Sequence, residues 1–404
     1  MSETSRGAVP PLPRSLACMG NSQDIGTWSN IPYFFFQAAV RRGFLTHALN
    51  LDVPTYKCKR IWWNLLAPFR LESPGGYQYS RAAADLLWQR VPEELRRGEI
   101  ICHFQLFPPL DLARAAGVQH SFYCDATMRL LLDVEGQPWN TAPTRRGQRT
   151  MADALKREGE LYRSARFFIG MAKATAQSAI RDYGVDPAKV FVVRPGANLD
   201  EAVVQAYLAQ RGRAWRLDRQ PFTPQRPARL GFIGKDYVRK GLLRLLAAAE
   251  LLHQRGRPVR ISLIGHCPES LRAHPLVEWV GFISKATAMR QFVAAVDRFA
   301  LGCLPSYAEP LGISTLEALR LGVPVMGTNT GGIPDCIPSD GGFLLPADAT
   351  DEAIAEAIEQ NLFNVERYHR LCEGAEQEMP HVTWDSTVQR MMEIWDGKSA
   401  AAHQ

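Results

Sequence analysis

Two carboxylates, Glu309 and Glu317, stand eight positions apart in the run Glu309-Pro310-Leu311-Gly312-Ile313-Ser314-Thr315-Leu316-Glu317. Paired acids can divide a proton transfer between them, or they can grip one polyhydroxylated ligand at two points. If most of the segment is helical, a rise of about 1.5 Å per residue separates the backbones by roughly 12 Å, beyond the roughly 5–9.5 Å of a glycosidase pair. Two roles on one ligand suit that spacing better. Ser314 and Glu317 also fit a capping box, in which a hydroxyl and the acid three residues on satisfy free backbone N–H groups. Glu309 sits beside Pro310 and just before Gly312, where fixed backbone is needed, and reads either as a ligand group or as an exposed loop acid. A second cluster, Gly234-Lys235-Asp236-Tyr237-Val238-Arg239-Lys240-Gly241, follows an apolar run and opens a helix. Cations there oppose the helix macrodipole at a cost of about a few tenths of a kcal/mol each. A bound phosphate reverses the sign, because its oxygens take both the side-chain cations and the free N–H groups. A solvated cationic loop is the bland alternative.

These groups need a frame, and the second half of the chain supplies a regular one. Apolar runs at 230–233, 261–264, 276–280, 299–304, 323–326 and 343–345 alternate with helical patterns, the longest over 241–254, stopped by Gly256 and Pro258. Such alternation predicts an α/β fold with a parallel sheet covered by helices on both faces. Glu309 then follows a strand and precedes a helix, at the sheet edge where loops and helix N-termini converge. The first half is less regular, with runs at 31–42, 100–106, 121–124, 167–170 and 190–193 and a helix over 152–164. The expected organisation is a mobile, Pro-rich tail over 1–14, a first domain over 15–205, an Arg-, Gln- and Pro-rich linker over 206–227, a second domain over 228–380, and a terminal helix and tail over 381–404.

The two clusters together resemble the retaining glycosyltransferases of family 4, whose GT-B fold sets two Rossmann-like domains face to face across a cleft. The resemblance rests on Gly234-Lys235 with Lys240-Gly241, on Glu309 and Glu317, on Val193 to Asp200, and on Gly322-Val323-Pro324-Val325 with Gly331-Gly332-Ile333-Pro334. It covers residues 190–346 well and the first half loosely. It implies that Lys235 and Lys240, with Arg239 as a further candidate, neutralise the diphosphate of a UDP- or GDP-type nucleotide sugar. Glu309 with the N–H groups of Gly312 and Ile313 would hold sugar and phosphate, Glu317 the ribose, and Phe282 the base. Relatives usually need no metal and no cofactor. The acceptor implied is a hydroxyl on a glycan or lipid-linked sugar. An epimerase or phosphorylase on the same fold, or a binding scaffold that does no chemistry, stays open, since Lys235 stands where Arg is commoner.

In the first half the match departs from the usual pattern. Where many relatives place a strand-end His, this chain offers Asp125, with His103 on a neighbouring strand as the alternative to a satisfied core histidine. Gly26 and Trp28 open the helix carrying Pro32, either as a ligand-facing loop or as an ordinary cap. Tyr56 to Trp63 mixes cations with aromatics and reads as an interfacial membrane surface or a surface strand with snorkelling lysines.

Composition narrows the remaining classes. The 404 residues are 46% apolar and 22% charged with a net charge of +6, too weak an excess to argue nucleic acid. The eight cysteines show no Cys-x-x-Cys spacing and the nine histidines no ligand-spaced cluster, which suits a reducing cytoplasm and a protein without metal. No run approaches the length of a membrane span, so any membrane contact would be peripheral to the inner face. P-loop and Gly-x-Gly-x-x-Gly orders are absent.

Overall fold

The computed structural model describes residues 13–18, 20–50, 54–66, 77, 80–89, 91–103, 118–132, 145–218 and 221–398. Most of the expected N-terminal tail and the end of the C-terminal one lie outside the described residues. Those described form two six-stranded parallel sheets. The first holds β1 (Arg14–Cys18), β2 (His47–Asn50), β3 (Glu99–His103), β4 (Gln119–Cys124), β5 (Phe168–Gly170) and β6 (Val190–Val192) in the order β2-β1-β3-β4-β5-β6. The second holds β7 (Ala228–Gly234), β8 (Val259–Gly265), β9 (Val277–Gly281), β10 (Leu301–Leu304), β11 (Val325–Thr328) and β12 (Gly342–Leu345) in the order β12-β11-β10-β7-β8-β9. The α/β expectation is borne out. Each apolar run of the second half became a strand; the inner strands β10 and β11 are buried at every residue, and strands buried on both faces read as near-continuous apolar runs.

Topology decides where a ligand can enter. In the second sheet the strand order reverses between β7 and β10, whose neighbours diverge to opposite sides and leave a crevice beyond their carboxyl ends. In the first sheet the reversal falls between β1 and β3, and the register pairs Cys18 with His103 at its end. β1 and β2 were not legible in the sequence: Arg14–Cys18 and His47–Asn50 are short and lack alternation. The Tyr56 to Trp63 stretch is helical, within Pro54–Leu65, so the strand reading is corrected. Pro54 opens that helix, where a missing N–H costs nothing.

The expected linker is no free tether. The Glu201–Arg211 helix runs into it and the Trp215–Asp218 turn follows. Arg211 donates to Asp297 Oδ1 at 2.8 Å, and Arg216, 2% exposed, donates to Asp297 Oδ1 at 2.9 Å. An Arg-rich composition that reads as solvated is instead consumed by buried acceptors of the second domain. The C-terminal Trp384–Trp395 helix returns to the first domain, where Trp384 Nε1 donates to Asn198 Oδ1 at 3.0 Å and Trp395 Nε1 to Glu99 Oε2 at 2.7 Å. A continuous apolar core, including Phe35, Tyr123, Leu311, Ile333 and Trp384, runs from one domain into the other.

Inside the first domain, Glu158 is buried and receives the hydroxyls of Tyr162, at 2.7 Å, and Tyr183. Burial pushes its carboxyl from 4.5 up to about 8, with the tyrosine hydrogen bonds pulling the other way. The folded protein therefore holds a proton that the unfolded chain releases, and stability present below pH 4.5 is lost as the pH rises through about 8. A Glu158→Gln variant is expected to show a flatter stability profile across that window, measured by urea unfolding at a series of pH values; an unchanged slope would contradict the assignment.

Candidate functional site

Beyond β10 the chain turns through Pro305 to Gly312 before the Ile313–Leu319 helix, and beyond β7 it turns through Lys235 to Gly241 before the Leu242–Gln254 helix. These are the two loops that flank the crevice. Glu309 Oε2 accepts from Lys240 Nζ and from Arg239 Nη1, both at 3.0 Å. Arg239 also donates to the Ala308 carbonyl at 2.6 Å and, through Nε, to Asp236 Oδ2 at 3.0 Å. Burial drives the Glu309 carboxyl up, but the charges of Lys240 and Arg239 together outweigh it and leave it below the usual range. Glu309 is thus an anion held between two cations at the edge of the sheet.

The backbone around it leaves little latitude. Gly312 caps the Ile313–Leu319 helix with φ at 92°, a left-handed conformation that favours glycine. Gly331, at φ 55°, lies against the Glu309 carbonyl, where a Cβ would collide, and the Gly332 N–H donates to that carbonyl at 3.3 Å. The loop carrying Glu309 is therefore pinned from the β11 side as well.

Glu317 differs from expectation. Gly312 is the N-cap and no side-chain cap forms; Thr315 Oγ1 donates to the Gly312 carbonyl at 2.7 Å, so the capping box over Ser314 and Glu317 is absent. The helix begins two residues too early for Ser314 to occupy the cap. Glu317 is 2% exposed and its Oε1 receives Lys285 Nζ, from the loop after β9. Burial pushes its carboxyl up, with Lys285 and then Lys240 opposing. Lys285 was missed in the sequence, where it reads as a solvated loop cation; no local pattern pairs it with an acid thirty-two positions away.

The remaining candidates fall into two groups. In the second domain, Lys235 Nζ lies 5.3 Å from the centre of the Phe282 ring, and that ring is 67% exposed. The structure thus brings Lys235 to the group expected to meet a base, and Lys240 to Glu309. In the first domain, Gly26 donates to Asp24 Oδ1 at 2.9 Å, and Trp28, Ser29 and Asn30 follow with φ of 38°, 56° and 72°. Three successive left-handed residues without glycine are costly and persist only where other contacts hold them. Asn198 Nδ2, donating to the Ser29 carbonyl at 2.8 Å, is such a contact. Asp125 is 5% exposed at the end of β4, its carbonyl accepting Thr175 Oγ1 at 2.6 Å. His103 is buried; its Nδ1 lies 2.8 Å from the Tyr123 carbonyl, and burial lowers its pKa to about 4, the backbone bond opposing. It is a neutral imidazole at neutral pH. The domains meet where the Lys173 N–H donates to Asp335 Oδ2 at 2.7 Å.

Residues 227–364 match the family described as glycosyl transferases group 1. A D-inositol 3-phosphate glycosyltransferase of Salinispora tropica is 27% identical over 265 residues, 61% of this chain and 54% of that protein. The chain spans about half the length of the curated relatives it matches. Among solved structures, sucrose-phosphate synthase from Thermosynechococcus elongatus superimposes with a TM-score of 0.61 at 14% identity, covering 95% of this chain and 98% of that one. HepE of Anabaena, in complex with UDP, follows at 0.60 and 15% identity, covering 96% and 100%. The likeness shows the GT-B fold. The matched region begins one residue before β7 and takes in Glu309, Glu317, Lys235, Arg239, Lys240 and Lys285. Among the described residues no three His, Cys, Asp or Glu side chains converge at metal-binding spacing, and no helix is long and apolar enough to cross a membrane.

Proposed function

We propose that this protein is a retaining, metal-independent hexosyltransferase of family 4. It would move a hexose from a nucleoside diphosphate sugar, UDP or GDP type, to a hydroxyl of a glycan or lipid-linked acceptor. The observation that carries the reading is Glu309, an anion held by Lys240 and Arg239 at the β7/β10 switch point. A nucleotide sugar presents what that arrangement lacks: hydroxyl donors for Glu309 and phosphate anions for the cations. On binding, Lys240 and Lys235 turn to the diphosphate, and the charge that grows on the leaving group is met by groups already in place. Glu309 and the N–H groups of Gly312 and Ile313 orient the sugar, Glu317 takes the ribose, and Phe282 stacks on the base. The relatives, transferases by name, and a structural neighbour crystallised with UDP support transfer over epimerase, phosphorylase or scaffold readings. With the cations supplying the neutralisation, the diphosphate needs no divalent ion, and retention follows if the departing phosphate takes the acceptor proton on the same face.

The first domain would form the acceptor side, its loop at Gly26 and Trp28 also contacting the donor, with Asp125 in the catalytic position or His103 in its place. On the Pro54–Leu65 helix and the residue after it, Ile61, Trp62, Leu65 and Leu66 are exposed beside Lys57, Lys59 and Arg60. That pattern supports peripheral contact with an anionic membrane face, and eight free thiols support a cytoplasmic setting. A thermal-shift screen against UDP, GDP, ADP and their sugars tests the donor reading. A nucleotide present at a hundred times its Kd is expected to add about 2.7 kcal/mol of stability. If no nucleotide or nucleotide sugar raised Tm at millimolar concentration, the reading would fail.

A further inference from the structure

We infer that Arg244 is a positioning residue for glycosyl transfer, setting the Glu309 loop against the helix that Lys240 leads into; this rests on the donor reading above. Arg244 lies in the first turn of the Leu242–Gln254 helix and is 6% exposed. Its Nη1 donates to the Pro305 carbonyl at 3.2 Å and to the Ala347 carbonyl at 3.3 Å, and its Nη2 donates to the Ala349 carbonyl. Its guanidinium carbon sits 4.7 Å from the centre of the Tyr307 ring. Among the described residues its hydrogen-bond acceptors are backbone carbonyls alone, with no carboxylate among them. A cation in the first turn of a helix opposes the macrodipole, so the helix itself gives no reason for an arginine here. The carbonyls do, because a buried guanidinium needs its N–H groups filled. They come from two loops, the one that starts at Pro305 and carries Glu309, and the one between β12 and the Asp351–Leu362 helix.

The Glu309 loop is held peptide by peptide, and Arg244 holds the first of them. Further along, the Ser306 carbonyl accepts Thr328 Oγ1 at 2.6 Å, the Tyr307 N–H donates to the Arg239 carbonyl at 2.9 Å, and the Ala308 carbonyl accepts Arg239. Gly241 closes the contact on the helix side, since a Cβ there would meet the Pro305 carbonyl oxygen at 2.0 Å. Arg244 and Lys240 are one turn apart, so a single stretch of chain sets the cation and, through Pro305, the acid it meets. The hydrogen bonds of Arg244 go to backbone, and it acts on Glu309 through the chain. With Pro305 released, the loop pivots on its remaining ties and the Glu309 carboxylate leaves its place. A misplacement of about 1 Å costs on the order of a hundredfold in rate. The Lys235 to Gly241 loop keeps its own bonds, from the Lys240 N–H to the Asp236 carbonyl and from the Gly241 N–H to the Val238 carbonyl, both at 3.1 Å. Affinity for the nucleotide alone is therefore expected to change little.

The test is a double-mutant cycle on wild type, Arg244→Met, Glu309→Ala and the variant carrying both, at a temperature where urea unfolding shows each of them folded. Release of nucleoside diphosphate into water is measured with whichever of UDP-glucose, GDP-glucose and ADP-glucose raises Tm most, beside calorimetric binding of the matching nucleotide. Methionine keeps the stem and removes the donors. Arg244→Met is expected to lower kcat by about tenfold to a hundredfold, with the nucleotide Kd within about threefold of wild type. Added to Glu309→Ala it is expected to lower kcat little further, because the two act as a unit, whereas independent effects multiply. Wild-type kcat in Arg244→Met overturns the proposal and leaves the donor reading intact. So does a loss that multiplies with that of Glu309→Ala, or one matched by the loss of nucleotide affinity. Should wild type release no diphosphate into water, the same cycle is read from calorimetric affinity for the nucleotide sugar, which Arg244→Met is expected to weaken by about tenfold. Should Arg244→Met not fold, Arg244→Lys carries the cycle, filling one carbonyl and losing about threefold to tenfold. Binding of no nucleotide or nucleotide sugar by wild type overturns the donor reading, and this inference with it.

Discussion

A Glu309→Ala variant is expected to lose glycosyl transfer by about a hundredfold to a thousandfold, the usual cost of removing a charge-stabilising group from a preorganised site. The expectation follows from the contacts Glu309 makes. It keeps Lys240 and Arg239 3.0 Å from its Oε2, where, on the proposed donor reading, the cations would meet the diphosphate and its own oxygens the donor sugar. Alanine removes both at once. Folding should suffer less, because Lys240 and Arg239 retain 13% and 25% exposure and can rehydrate, limiting the loss to about 1–2 kcal/mol. The pH signature has a definite sign. The folded carboxyl lies below its ordinary 4.5, so the stability it adds is complete above that value and disappears as the pH falls through the folded pKa. Wild type and variant should accordingly converge in acid. Transfer assays with the donor found by thermal shift, beside urea unfolding, check both halves; wild-type rates in the variant would remove Glu309 from the mechanism.

The second large effect lies far from the chemistry. Arg216→Ala is expected to destabilise the protein by about 3–5 kcal/mol, the range for breaking a buried pair by deleting one partner. Arg216 donates to Asp297 Oδ1 at 2.9 Å, to the Leu321 and Phe299 carbonyls at 3.1 and 3.2 Å, to the Gly322 carbonyl at 3.3 Å and to the Asp297 carbonyl. Truncation removes this donor from the Phe299 and Gly322 carbonyls, and leaves the Leu321 carbonyl to Arg211, the Asp297 carbonyl to the Trp215 indole and the Asp297 carboxylate to Arg211 and Tyr207. Lysine cannot restore the planar fork, so Arg216→Lys should recover little. Denaturant unfolding reads the loss directly, and a change below about 1 kcal/mol would show that the carbonyls find water instead.

Residue by residue, the second domain was far more legible than the first. Its strands are continuous apolar runs bounded by glycines, and period and punctuation are local properties. Glu309, Lys235, Lys240, Gly312 and Phe282 could be placed at the carboxyl edge of the sheet because each follows such a run. The first domain gave weaker signals: Arg14–Cys18 is a polar-tinged pentapeptide behind a Pro-rich start, and nothing in Gly26 to Asn30 announces three left-handed residues in succession. Ser314 failed as a cap for a local reason, since Gly312 had already turned the chain into the helix.

Sequence by itself determined the α/β alternation, the two acids, the cationic loop and the family resemblance, because these depend on residue type and spacing along one stretch of chain. Tertiary structure alone decided which cation meets which acid. Lys285 reaches Glu317, Arg239 joins Lys240 on Glu309, and Arg216 leaves an apparent linker for the interior of the second domain, since each pairing joins residues brought together only by parallel strands and their crossovers. Burial then set the charge states. A carboxylate's tendency to hold a proton depends on the solvent and ions around it, and those surroundings exist only once the two loops face each other across the β7/β10 crevice.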